Sequence, residues 1–148
     1  MKGLFLAGRI VFGGFFIYSG IHHFLEWRNM SQYAGAKNVP QPEAAVIASG
    51  ALITLGGSLI ALGVKPQLGA AAVIAFLASV SPVMHNFWAE DDPNQKMQDM
   101  IHFSKNMALL GSALALLGVE EPWPLSVPVN RPSRLERVVD IARRKIAA

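Results

Sequence analysis

Two apolar runs occupy the middle of the chain: AAVIASGALITLGGSLIALGV at residues 44–64 and PQLGAAAVIAFLASVSPVMHNFWA at residues 66–89. Neither run contains Asp, Glu, Lys or Arg, and only Lys65 separates them. A helix that crosses a bilayer needs about 20 predominantly apolar residues, and each run is long enough. Helices of a soluble bundle would carry a charged polar face, which both runs lack. The runs therefore predict two membrane-spanning helices joined by a tight turn.

Two further apolar segments flank this pair. Residues 4–25 are interrupted by Arg9 and two histidines, and residues 99–119 carry their ionisable groups near the start. Charged residues make up 16% of the chain, against about 25% in soluble domains. The connections are short, the longest at residues 26–43, so consecutive helices are expected to be antiparallel neighbours. We predict an all-α fold, a four-helix transmembrane bundle in a membrane domain of residues 1–122, with helices at about 4–25, 44–64, 67–88 and 99–119.

Basic residues predict how the bundle is oriented. Four spans place both termini on one side, which carries eight Lys and Arg residues outside the helices against three on the other. The more basic side faces the cytoplasm, so both termini are expected there. Beyond residue 122 the chain is rich in proline, and Ser133 to Glu136 has the pattern of a capping box. Residues 123–148 are therefore predicted as a Pro-rich cytoplasmic linker and a short basic amphipathic helix on the membrane surface.

Composition and spacing also exclude several kinds of site. The chain has no cysteine, which rules out a disulfide framework, thiolate zinc sites, cysteine-ligated iron–sulfur clusters and a catalytic thiol. It has no metal-ligand spacing such as HExxH, so no metal site is predicted. The basic tail is too small and too ordinary to indicate nucleic-acid binding, and the lipid bilayer is the expected partner.

Ionisable side chains within the spans are the clearest candidates for a site, because each costs on the order of 2.5 kcal/mol or more at the bilayer centre. The first and third helices end near His23 and His85, and the fourth begins with polar residues at the same membrane face. A helix turns about 100° per residue, so His22 and His23 cannot both point inward, and His23 shares the face of Arg9. The ligand-binding candidates are Arg9, His23, His85, Trp88, Asp99, His102, Lys105 and Asn106.

Two interpretations of this polar cluster at the outer face stay open. It forms either a site that binds a ligand or a hydrogen-bonded cap that joins the first, third and fourth helices. Arg9 lies about two turns from the other end of the first helix, where it either snorkels to the headgroups or pairs with carbonyls or a ligand. No catalytic residue is assigned.

Several of these residues belong to short motifs. Arg9 is followed by Gly13-Gly14 and Ser19-Gly20, and the third helix ends in HNFW at residues 85–88. Residues 102–111, HFSKNMALLG, are similar to a phenylalanine–x–lysine–asparagine–leucine–alanine–leucine motif, with Met107 in place of the first leucine. In these features the chain resembles the DoxX family of small bacterial four-helix membrane proteins. The resemblance covers about residues 4–119.

The resemblance implies a multi-pass protein of the bacterial plasma membrane, linked to quinol oxidation or thiosulfate:quinone oxidoreduction. On this hypothesis the protein is a quinone-linked redox protein or subunit with its polar site at the outer face, and quinone is its ligand. The sequence shows no redox group, so a redox partner would have to accept electrons. An accessory or scaffold subunit of a membrane complex is the alternative, and a small transporter ranks below both. Whether the chain is itself an enzyme, and whether it forms a homo-oligomer, stay open.

Overall fold

The computed structural model describes residues 1–128. The predicted amphipathic helix of the tail lies outside the described residues. Within them the fold is all-α, and four of its helices are long and apolar enough to cross a membrane, which confirms the predicted four-span architecture. A 3-10 turn, Phe87–Ala89, follows the fourth helix. The α-helices are α1 (Lys2–Leu25), α2 (Trp27–Ala36), α3 (Pro42–Leu62), α4 (Pro66–Met84) and α5 (Pro93–Leu117).

Proline sets the start of three spans. Pro42, Pro66 and Pro93 each occupy the first turn of a helix, where the fixed φ suits the helix and the missing N–H leaves no bond unmade. The carboxylate of Asp92 caps α5 by accepting hydrogen bonds from the backbone N–H groups of residues 94 and 95, at 2.9 and 2.8 Å. As a result α5 begins at Pro93, six residues before the predicted start at 99.

The connection between the first two spans holds a helix that the sequence analysis treats as loop. Helix α2 is largely polar and packs mainly against α3, with Ser31 and Ala34 buried. Its ten residues are too few to cross a bilayer and contain no apolar run. Helix α2 therefore gives no membrane-span signal in the sequence. The side chains on its buried face are small, so it can still pack closely on α3.

The four spans pack in chain order, α1 on α3, α3 on α4 and α4 on α5. Within residues 1–128, α1 and α5 are not packed along each other, so the spans form an open arc. We call the end where α1 and α4 stop the histidine end, and the opposite end the arginine end. Residues 120–127, here the return segment, run from α5 to α1 and α3 at the arginine end. There Trp123 is buried against the ring of Phe5, and the N–H of Val127 donates to the Leu62 carbonyl at 3.0 Å.

Glycines bring α1 and α3 into backbone contact. Gly13 faces Gly57, and Gly20 faces Gly50 about two turns further along. A Cβ on Gly13 would lie 2.5 Å from the carbonyl oxygen of Gly57 and 2.9 Å from the nitrogen of Ala61. In a membrane, packing of small residues drives helix association because lipid removes the hydrophobic driving force. The close packing of α1 on α3 therefore depends on glycine, which has no side chain.

We expect Gly13→Ala to destabilise the protein by about 1–3 kcal/mol, because the new methyl group overlaps the α3 backbone. Gly14→Ala is the matched control, since a Cβ there has no atom within 4 Å, and alanine favours the helix. Thermal unfolding in detergent measures both. Equal unfolding temperatures for the two variants would contradict the close packing of α1 on α3.

Candidate functional site

A cavity of about 770 Å³ lies inside the arc towards the histidine end. All five α-helices contribute to its wall, and α2 lies across it with Met30, Tyr33 and Ala34. Most of the wall is apolar, with Phe16 from α1 and Phe76 from α4 among its large side chains. The wall also includes several polar and ionisable side chains, so it offers a small organic molecule both apolar surface and hydrogen-bonding groups.

One polar wall belongs to α1 and α3. The ring nitrogen Nδ1 of His23 lies 3.1 Å from Ser49 Oγ and 3.4 Å from the Val46 carbonyl oxygen. The imidazole also packs near Phe76, with ring centroids 6.0 Å apart. His22 also borders the cavity, but it is exposed and stacks on Tyr18. Of the two adjacent histidines, His23 is therefore the one held inside the bundle.

The facing wall belongs to α5. Asn106 is 8% exposed and lines the cavity, and its side-chain amide has no hydrogen-bond partner among the described residues. Lys105 lines the cavity as well, and its Nζ lies 3.2 Å from Nδ1 of His102. The amide atoms of Asn106 are not fully enclosed, because Nε of Arg9 is the one buried side-chain N or O atom without a partner in residues 1–128. Asn106 therefore has donors and an acceptor to offer to a bound molecule.

A buried carboxylate connects separate segments of the chain at the histidine end. Asp99 is 1% exposed; Nζ of Lys37 lies 3.3 Å from its Oδ2, and Nδ1 of His85 lies 3.3 Å from its Oδ1. His85 lines the cavity and stacks on His102, with ring centroids 5.0 Å apart. His102 itself is exposed and does not line the cavity. Asp99 thus connects one cavity wall to the residue that follows α2.

Lys37 is the residue of this site that the sequence analysis missed. It follows α2, and its Nζ also lies 3.3 Å from Asn86 Oδ1 and 3.8 Å from Glu90 Oε2. One feature could have indicated Lys37: a buried Asp99 carboxylate requires a cationic partner at the same depth. Beside this cluster, burial and the charge of Asp99 raise the pKa of Tyr33. Its phenol therefore stays protonated at the cavity roof.

Two of the candidates lie away from the cavity. Arg9 is 2% exposed at the arginine end, where Nη1 donates to Ser126 Oγ at 3.1 Å and Nη2 to the Leu125 carbonyl at 2.6 Å. The guanidinium thus pairs with a carbonyl rather than snorkelling to the headgroups. Trp88 is 55% exposed on the 3-10 turn and packs edge-on to Phe103. Neither side chain lines the cavity.

The structure brings the other candidates together in two groups, His23 on one wall and the cluster around Asp99 and Asn106 on the other. No three His, Asp or Glu side chains of residues 1–128 are grouped so that they could hold a metal ion.

Comparison with known families identifies the family to which this chain belongs. The DoxX family model matches residues 4–86. The chain belongs to the DoxX family. The match covers α1 to α4 and ends just after His85, so the α5 side of the cavity lies beyond it. Neither the curated proteins nor the solved structures contain a significant match to this DoxX protein.

We expect Lys37→Met to destabilise the DoxX protein by about 3 kcal/mol, since it leaves the Asp99 carboxylate buried without its cation. Lys96→Met is the control, because Lys96 is an exposed lysine of α5. Combining Lys37→Met with Asp99→Asn should recover part of the loss, because the amide carries no charge. Thermal unfolding of the unsubstituted protein, Lys37→Met, Asp99→Asn and the double variant gives the coupling energy between the two residues. If Lys37→Met and Lys96→Met unfold alike, Lys37 does not hold α2 on the bundle.

Proposed function

We propose that this DoxX-family membrane protein binds a quinone or quinol in the cavity, as a quinone-linked redox protein or subunit. One observation carries the proposal: a largely apolar cavity into which a buried amide without a partner, Asn106, presents its polar atoms. A quinone matches this wall, because its ring and tail are apolar and its two oxygens need hydrogen bonds. The amide N–H of Asn106 would donate to one of these oxygens.

The hydrogen bonds of two histidines suit a quinol in particular. Ser49 Oγ donates to the Val46 carbonyl at 3.0 Å, so it accepts the proton on Nδ1 of His23. Nδ1 of His85 likewise donates to the carboxylate of Asp99. In each neutral ring the other nitrogen, Nε2, is then an acceptor. His23 and His85 could therefore accept the two hydroxyl protons that a quinol loses on oxidation.

Oxidation of a quinol also releases two electrons, and the described residues hold no group that would carry them. We therefore propose a redox partner or a neighbouring subunit as the electron acceptor. Asp99 would stabilise the imidazolium that forms on His85 when it accepts a proton, since its Oδ1 lies 3.3 Å from Nδ1 of that ring. The distribution of Lys and Arg supports cytoplasmic termini, which would place the histidine end at the periplasmic face of a bacterial plasma membrane.

We expect the protein purified in mild detergent to retain quinone, identified by mass spectrometry of the lipid extract. Asn106→Ala should weaken the binding of ubiquinone about tenfold, the effect of one lost hydrogen bond. Asn94→Ala is the matched control, because Asn94 is an exposed amide in the first turn of the same helix. Titration of ubiquinone into the three proteins measures the difference.

A second matched pair separates the two stacked imidazoles. His85→Gln should weaken ubiquinone binding, whereas His102→Gln should not, because only His85 lines the cavity. Lack of bound quinone, together with equal affinities across both pairs, would contradict the proposal. Co-purification of a stable complex in that case would favour the accessory or scaffold subunit.

A further inference from the structure

The cavity has an opening between two spans that both line it. Phe15 and Lys105, from α1 and α5, line the cavity and are also exposed on the outside of the arc. Exposed side chains of α2 and α4, Tyr33 and Val83 among them, line the cavity as well, so the lack of helix packing is what distinguishes the side between α1 and α5. Because α1 and α5 are not packed along each other within residues 1–128, no helix of the described chain closes this side.

The opening lies at membrane depth. Phe15 precedes the end of α1 by ten residues, and Lys105 follows the start of α5 by twelve. At a rise of about 1.5 Å per residue these positions are about 15 and 18 Å from the helix ends. The hydrocarbon core of a bilayer is about 30 Å thick. Phe15 and Lys105 thus lie near the middle of two helices that are long and apolar enough to cross a membrane.

Both ends of the arc are covered. At the histidine end, Lys37 ties the residues after α2 to Asp99 on α5. At the arginine end, Arg9 holds the return segment by two hydrogen bonds, and Trp123 of that segment is buried. Each cover is thus fastened by a buried charged side chain, whereas the opening between α1 and α5 is crossed by no such contact.

We propose that the cavity is loaded sideways from the bilayer, between α1 and α5, by an amphiphile whose apolar tail stays in the opening. The head would lie at Asn106, and the tail would pass between Phe15 and Leu109, an apolar pair that also lines the cavity. Lys105 at the edge binds back towards His102, which leaves the passage apolar. This inference rests on the cavity's geometry, so it stands or falls separately from quinone binding.

The test places a fluorescent reporter in the cavity of the full-length protein in lipid vesicles. Phe76→Trp adds a tryptophan to the α4 wall, and Val80→Trp replaces it if the first variant does not fold. We expect phospholipids brominated on their acyl chains to quench the added tryptophan, and aqueous iodide to leave it unquenched. The unsubstituted protein supplies the background from its three native tryptophans.

Cross-linking then identifies the route. The chain has no native cysteine, so Phe15→Cys with Leu109→Cys can be joined across the opening by a bifunctional maleimide. Joining this pair should abolish quenching by brominated lipid. The matched control, Ala36→Cys with Glu90→Cys, fastens the α2 cover instead and should leave the quenching unchanged. Three results would each overturn the lateral route. The added tryptophan could be quenched by iodide, it could remain unquenched by brominated lipid, or it could lose lipid quenching only when the control pair is joined.

Discussion

A carboxylate buried at the edge of a membrane constrains the whole histidine end of this protein. Asp99 is almost fully enclosed, and a charge removed from water must be paired and hydrogen-bonded. Its two oxygens take different partners, Lys37 from the segment after α2 and His85 from the end of α4. The pairing with Lys37 draws α2 over the bundle and gives the cavity a roof. The pairing with His85 fixes the position of the end of α4 along α5.

The cavity itself follows from unequal helix spacing. Glycines let α1 approach α3 until their backbones touch, so α1 is committed to one side of the arc. Helix α5 packs on α4 at the other side and, within residues 1–128, does not pack along α1. At the arginine end, Arg9 bridges this separation by binding the return segment through Leu125 and Ser126. The two buried charges, Arg9 and Asp99, thus fasten segments at opposite ends of the bundle.

Much of the fold could be predicted from the sequence because each span is an apolar run of bilayer length. The proximity of His85 to Asp99 also followed from topology, since one antiparallel helix ends where the next begins. Helix α2 and Lys37 could not be predicted this way, because a short polar helix leaves no apolar signal and a salt bridge between distant segments has no sequence period. Trp88 was a candidate by its neighbourhood in sequence, yet the 3-10 turn directs it away from the cavity. Whether four neighbouring helices close into a ring or stay an open arc depends on packing distances that no local pattern encodes.

The central claim is that the hollow between α1 and α5 is a binding site for an amphiphile. A cryo-electron microscopy structure of the protein in lipid nanodiscs tests it most directly. The account predicts separated α1 and α5, with density for a bound molecule that touches the Asn106 amide and extends outward past Phe15. A structure in which α1 packs along α5, with the Asn106 amide bonded to another helix and no space between, would contradict it.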